Sequence, residues 1–287
     1  MLLDFVVDGH GKTKIFVERL ETLFGATFVA ASPNHPLSHG KPLGSFTGAY
    51  AANPVNNEKI PVWVAAYVRD GAVAAVPAHS QADYVFAKEH GLPIRTVIEP
   101  LTGEPQQNPE LRRSIVALVA NPQTNQILSI NWGPQAGGNL LIGGGREENE
   151  DPVECAKREI AEETGYRDVT LVAQSERIHH RYFAHSKNKA RQIEAIGLFF
   201  NLQSNERINP KLEADEVGRF KVEWLSEPDA AERIRDELHR YVFAKFIRDE
   251  VHSGEGILIN SGNYSGMNSR QACEQMTKDF VTQIEQR

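Results

Sequence analysis

The chain has 287 residues, 40% of them hydrophobic and 24% charged, so it can bury a substantial core, and its length suggests about two domains. A formal net charge of −7 excludes a general attraction to nucleic acid, whose backbone is met by basic patches, and leaves only local contacts with RNA open. No apolar run approaches the roughly 18 residues of a membrane helix, and the start Met1-Leu2-Leu3-Asp4-Phe5 is neither basic nor part of an apolar run, so a cytoplasmic location is expected.

In chain order, residues 4–7, 14–17, 26–30 and 60–64 are extended apolar runs separated by Gly, Pro and Asn punctuation, and they predict strands. A helix is expected over about residues 81–89, and the Pro- and Gly-bearing stretch 99–107 reads as a linker. Residues 114–119 and 126–130 bracket a Pro122-Gln123-Thr124-Asn125 turn and predict a hairpin. Further strands are expected at 193–202 and 221–225, and a helix at 229–249. An amphipathic helix is expected from about residue 269 to 285. Between them, His179-His180-Arg181-Tyr182 and Lys187-Asn188-Lys189-Ala190-Arg191 form a basic, aromatic-flecked segment that reads first as a solvated loop and second as a grip for phosphates or an RNA end. Cys155 and Cys273 have no metal-type spacing and read as reduced thiols.

The chemistry concentrates at residues 143–166. Asp151, Pro152 and Glu154 read as N-cap, first helical residue and capping-box partner, and Gly165 suits the left-handed residue past the helix end. On that helix Val153, Ala156 and Ile160 face a core, while Glu159, Glu162 and Glu163 gather their carboxylates on another side. Clustered carboxylates repel one another unless a cation sits among them, and hard oxygen donors select Mg²⁺ or Mn²⁺. Arg158 precedes Glu162 by one turn and can orient it, and Gly143, Gly144 and Gly145 would let the backbone turn tightly and approach a polyanion.

The run Gly144 through Glu150, followed by Arg158-Glu159-Ile160-Ala161-Glu162-Glu163-Thr164-Gly165-Tyr166, resembles the Nudix box, departing only where Tyr166 replaces an aliphatic residue. The resemblance implies attack of water on a pyrophosphate linked to another moiety, helped by a divalent cation. Glu150, Glu213 and Glu216 are the candidate general bases.

A second resemblance covers roughly residues 4–100. It is carried by Glu21-Thr22-Leu23-Phe24-Gly25-Ala26-Thr27-Phe28, Asn53-Pro54-Val55-Asn56-Asn57-Glu58-Lys59-Ile60-Pro61-Val62-Trp63, residues 71–83 and Phe86-Ala87-Lys88-Glu89-His90-Gly91. These are similar to the editing domain of leucyl-tRNA synthetases, a class I aminoacyl-tRNA synthetase family, and the segment Gly256 to Met267 is similar to the end of the same domain. The resemblance implies an α/β/α Nudix sandwich at 108–250, inserted into a β-rich editing domain made of 1–107 and 251–287, an α/β and α+β chain overall. It also points to Thr22 at the pocket wall and Asp83 as the partner of a substrate ammonium, although two threonines and the proline of the family's stretch are lost, Glu21 stands for Asp, and Ser80 and Ala82 replace an acid and an arginine. His79 reads as a packing or capping residue.

The expected function is therefore Mg²⁺- or Mn²⁺-dependent hydrolysis of a nucleotide substrate linked through a diphosphate. Glu159, Glu162 and Glu163 are the expected metal ligands, Glu150, Arg158 and Glu162 the catalytic set, and the backbone at Gly143, Gly144 and Gly145 the phosphate cradle. Two alternatives concern the outer domain, with tRNA as candidate partner: a free-standing aminoacyl-tRNA deacylase using Thr22 and Asp83, or a module that only binds tRNA or supports the fold.

Overall fold

Alternation decides the first strand of the computed structural model. In β1 (Leu2–Val7) Leu3, Phe5 and Val7 are buried while the residues between them face outward, the period of a strand with one covered face. The structure describes all residues except 134–136, 185–186, 212–217, 260–261 and 287. The chain divides into two compact units, Met1–Pro100 with Val251–Arg287, and Leu101–Glu250.

In the first unit β1 pairs antiparallel with β2 (Gly11–Phe16). The strands β3 (Phe28–Ala31), β4 (Phe46–Ala52), β5 (Lys59–Val64) and β6 (Ala72–Ala75) follow. They close a barrel in the order β1-β2-β6-β3-β5-β4, which leaves no free sheet edge. Its core holds Phe5, Ile15, Leu23, Val29, Ile60 and Val62. The helix α1 (Gln81–His90) lays Phe86 and Ala87 against Phe28, Ala30 and Ala75, and stops where Gly91 takes a φ of 64°. Next comes β7 (Ile98–Gly103), where a linker was expected. Pro100 misled there: a proline cannot donate to a ladder, yet it is accommodated opposite Gly256 at the end of one pairing and just before the other begins at Leu101.

In the second unit the long strand β8 (Glu110–Asn121) organises both layers. Ile115, Ala117 and Val119 point to one face and Val116 and Leu118 to the other, all buried, so the strand reads as a continuous apolar run. The chain continues through β9 (Gln126–Asn131), β10 (Asn139–Leu140), β11 (Ile142–Gly145), α2 (Pro152–Thr164), β12 (Val169–Ala184), β13 (Lys189–Leu202), β14 (Lys221–Ser226), α3 (Glu227–Arg233) and α4 (Glu237–Ile247). The sheet runs β10-β9-β8-β13-β12, with β11 beside β8, β14 beside β9 and residues 101–103 of β7 beside β12. The pairing of β8 with β13 is parallel over eleven residue pairs, from Arg191 opposite Glu110 to Asn201 opposite Ala120.

One face carries α2 through Cys155, Ala156 and Ile160; the other carries α3 and α4 through Ala230, Leu238, Val242 and Phe243. The result is the expected helix-sheet-helix sandwich. Two local expectations need correction. The segment 179–182 is not a solvated loop but the end of β12, with His179 and His180 buried. The single helix expected at 229–249 breaks at Ile234, which is extended, because Asp236 turns its carboxylate onto the Leu238 and His239 amides and starts a new helix.

The chain then returns to the first unit as β15 (Gly256–Leu258), antiparallel to residues 98–100 of β7, and α5 (Ser269–Glu285), which opens with an Asn268–Gln271 capping box and sends Met276 into the barrel core. The resembling segment 256–267 falls partly outside the described residues, at Asn260 and Ser261.

Gly165 is the residue that most limits the end of α2. Its φ is 82°, and a Cβ there would lie 2.3 Å from the Ile208 carbonyl oxygen, which approaches because the Ile208 amide donates to the Gly165 carbonyl at 2.9 Å. Gly165→Ala should therefore destabilise the second unit by more than the roughly 1–2 kcal/mol of left-handed strain alone. Urea unfolding measures this; an unchanged midpoint would contradict the packing described.

Candidate active site

The helix α2 begins at Asp151, whose carboxylate accepts from the Val153 and Glu154 amides at 2.8 and 3.2 Å. Glu154 does not close a capping box; its side chain takes Lys157 at 3.0 Å instead. The last turn is covered from outside: Lys211 N donates to the Glu162 carbonyl at 2.9 Å and Arg207 Nε to the Thr164 carbonyl at 2.8 Å. Tyr166, the departure from the box pattern, is buried beneath Arg207 and Trp224, and its hydroxyl accepts from Trp224 Nε1 at 3.0 Å. An aromatic ring suits the position because its polar end has a donor to meet it.

Arg158 sits at the centre of the acidic cluster. Its Nε donates to Glu150 Oε1 at 3.0 Å, and its Nη1 to Glu159 Oε1 at 2.7 Å and Glu162 Oε2 at 3.1 Å. Three carboxylates thus share one planar guanidinium, whose fixed fork of donors can serve several acceptors at once. Glu150 also accepts from the Glu147 amide at 2.9 Å. The hydrogen bond from Arg158 above all, helped by that amide, draws the Glu150 carboxyl down to about 2. Such a carboxylate is a poor proton acceptor. Burial moves Glu159 the other way and raises it, against the pull of Arg158.

Glu163 follows on the same helix and is partly buried. Glu213 and Glu216 lie outside the described residues. Among the described residues no three His, Cys, Asp or Glu side chains are gathered as a metal site; Glu159 and Glu162 are drawn to Arg158 instead.

Gly143, Gly144 and Gly145 do not form a turn. They are extended residues of β11, opposite Val116, Ile115 and Ser114 of β8. Only at Gly144 does the neighbouring helix demand glycine: a Cβ there would lie 2.2 Å from the Glu159 Cδ and Cγ atoms, whereas one on Gly143 or Gly145 would make ordinary contacts at 3.5 Å. The Glu159 side chain crosses the strand in the space that glycine leaves.

Beside this strand opens a cavity of about 270 Å³ lined by 112–116, 143–145, Tyr182, Arg191, Ile193, Leu238 and His239. Arg112, Arg113 and Arg191 make its lining basic, with Glu194 3.9 Å from Arg113 and Glu110 3.5 Å from Arg191. Arg191 came from the segment noted for its charge, but Arg112 and Arg113 carry no motif, and His239 arrives from α4, whose start was misplaced in the sequence reading.

In the first unit Thr22 is buried within the 3-10 turn Leu20–Gly25 and donates its hydroxyl to the Arg19 carbonyl at 2.7 Å. Asp83, buried on α1, accepts from the Tyr67 hydroxyl at 2.6 Å and from the Val76 amide at 2.8 Å. Burial raises its pKa, with those two bonds opposing the rise. Both side chains bind parts of their own fold. A cleft bordered by Arg19, Glu21, Ser269 and Cys273 contains neither. His79 is a packing residue as expected, its Nε2 accepting from the Val97 and Ile98 amides at 3.1 and 3.3 Å.

Comparison with known proteins agrees with both parts. The family model described as "Leucyl-tRNA synthetase, editing domain" matches residues 39–126, and the one described as "NUDIX domain" matches residues 110–246. Where the two overlap, residues 110–121 are β8 of the sandwich. The leucine–tRNA ligase of Rubrobacter xylanophilus is 39% identical over 132 residues, 34% of this chain and 16% of the ligase, and that of Elusimicrobium minutum is 40% identical over 131 residues, with the same shares. This chain thus spans about one sixth of the length of these curated relatives. Among solved structures, the E. coli dihydroneopterin triphosphate pyrophosphohydrolase aligns with a TM-score of 0.38 at 18% identity, over 48% of this chain and 96% of that one. A NUDIX hydrolase from Nitrosomonas europaea aligns with a TM-score of 0.39 at 13% identity, over 54% of this chain and all of its own. The chain carries a NUDIX domain in its helix-sheet-helix unit together with leucyl-tRNA synthetase editing-domain sequence in its barrel unit.

Proposed function

We propose that the NUDIX domain hydrolyses a nucleotide joined through a diphosphate to a second group, with a divalent cation as cofactor. The observation that carries this reading is the sharing of Arg158 among Glu150, Glu159 and Glu162. Three ionised carboxylates against one guanidinium leave two negative charges. That surplus, made of hard oxygen donors, fits Mg²⁺ or Mn²⁺. Glu159, Glu162 and Glu163 would hold the ion, which would neutralise phosphate charge and sharpen a water for attack.

The chain's own residues supply the rest. Arg112, Arg113 and Arg191 attract and orient the phosphates at the cavity mouth. Gly144 lets Glu159 reach across β11. Glu150 is a positioning residue: it anchors the guanidinium that holds Glu159 and Glu162 together.

For the barrel unit we favour a module that supports the fold or contacts tRNA over an active deacylase. The specific observation is that both oxygens of Asp83 and the hydroxyl of Thr22 are taken up by their own surroundings.

With a panel of nucleoside diphosphate-linked compounds, turnover should need Mg²⁺ or Mn²⁺ and stop in EDTA. Glu162→Gln should lose at least about a hundredfold in kcat, and Glu150→Gln about 10–100-fold, as residues that orient metal ligands do. Full rate in EDTA, or in Glu162→Gln, would refute the reading.

On isoleucyl- and norvalyl-tRNA the protein should release no amino acid, while Asp83→Asn lowers thermal stability by weakening the Tyr67 and Val76 bonds. Deacylation that disappears in Asp83→Asn would restore the editing enzyme.

A further inference from the structure

His239 is held more firmly than a residue that merely lines a cavity requires. Asp236 fixes the first turn of α4 by accepting from the Leu238 and His239 amides at 3.0 and 3.1 Å. The ring's Nδ1 faces the Leu141 amide at 3.1 Å. An amide N–H can only donate, so Nδ1 is the acceptor, and a neutral ring must carry its one proton on Nε2. Neutrality is secured by the surroundings: burial pushes the ring down to about 4, against Asp236, which raises it, and with His180, which lowers it further.

The other edge of the ring faces β11. A Cβ on Gly143 would lie 3.5 Å from Cε1 and 4.0 Å from Nε2, ordinary contact distances, so the ring packs directly beside the strand. His239 lines the basic cavity there, and among the described residues its Nε2 has no hydrogen-bond partner. Three arginines already serve the charged part of any ligand in this cavity. A neutral N–H beside them adds little for phosphate, but it can read an uncharged acceptor.

The geometry points to His239 as the residue that selects the substrate, its Nε2–H donating to a neutral oxygen or ring nitrogen on the nucleoside attached to the diphosphate. This rests on the diphosphate-hydrolase reading above. A partly buried donor left unpaired discriminates strongly against ligands that lack the acceptor, more so than apolar contact does. The arginines and acidic helix then provide the reaction common to all substrates, and His239 chooses among them.

Two substitutions separate selection from support. In His239→Asn the Oδ1 can replace Nδ1 toward the Leu141 amide, but nothing reaches the place of Nε2. In His239→Gln the terminal amide reaches that place and abandons Leu141. The kcat/KM values on ADP-, GDP-, CDP- and UDP-sugars and on inorganic tripolyphosphate are compared for the three proteins, alongside their melting temperatures. His239→Asn should lose at least about tenfold in preference for the favoured nucleotide over the others and over tripolyphosphate at near-native stability. His239→Gln should keep that preference within about threefold although it melts lower. Unchanged preference in His239→Asn, or equal loss in both variants in step with stability, overturns the assignment. If the native protein cleaves none of these compounds, the hydrolase reading fails separately. The His239 assignment is then decided by the ¹⁵N spectrum of the ring during titration with the same nucleotides. A shift of Nε2 with one of them supports it, and no shift with any overturns it.

Discussion

The second unit depends on how one guanidinium divides itself among three carboxylates. Arg158 lies on the exposed side of α2 with Glu150 held from the preceding loop and Glu159 and Glu162 from the helix itself. Without that cation the acids would repel one another across a single helical turn. With it they stay close while keeping an excess of negative charge. The strand next to the helix is shaped to suit: Gly144 yields its side-chain space to Glu159, and β11 is fixed to β8 by regular antiparallel pairing. Helix and strand thus present acids on one side and backbone on the other, and Arg112, Arg113 and Arg191 line the cavity beside the strand.

Stability and chemistry meet at both ends of α2. The start is secured by Asp151 and Pro152, the finish by Gly165 and by donors from residues 207–211. Below, Cys155, Ala156 and Ile160 sink into the sheet. Cys155 is fully buried, and burial chiefly raises its thiol, so it acts as a small apolar residue and not as a nucleophile. The helix can therefore carry strained electrostatics on its outer face because its inner face is anchored by packing.

The sequence made α2 and its caps legible because each signal there is local: a capping aspartate, a helical spacing of acids, a terminal glycine. The helix-sheet-helix class was likewise readable from apolar runs. What it hid was whatever depends on residues far apart in the chain. The glycines at 143–145 looked like a turn, since the reason for a glycine at 144, the Glu159 side chain crossing the strand, comes from the helix that follows. The histidines at 179 and 180 looked solvated, since burial of polar residues in β12 depends on strands supplied from elsewhere. For Thr22 and Asp83 the resemblance to functional positions was plain, while the Tyr67 hydroxyl and the Val76 amide that bond to Asp83 carry no sequence signature. The placement of His239 was invisible for the same reason, since the Leu141 amide that its ring accepts from lies far away in the chain.

We propose that the surplus negative charge around Arg158 is a binding place for a divalent ion. Titration of the full chain with Mn²⁺ tests this directly, counting bound ion by electron paramagnetic resonance in the native protein and in Glu159→Gln and Glu162→Gln. Saturable binding is expected in the native chain, displaced by Mg²⁺ and lost or greatly weakened in both variants. Saturable binding that both variants retain, or no binding by the native chain, would contradict it.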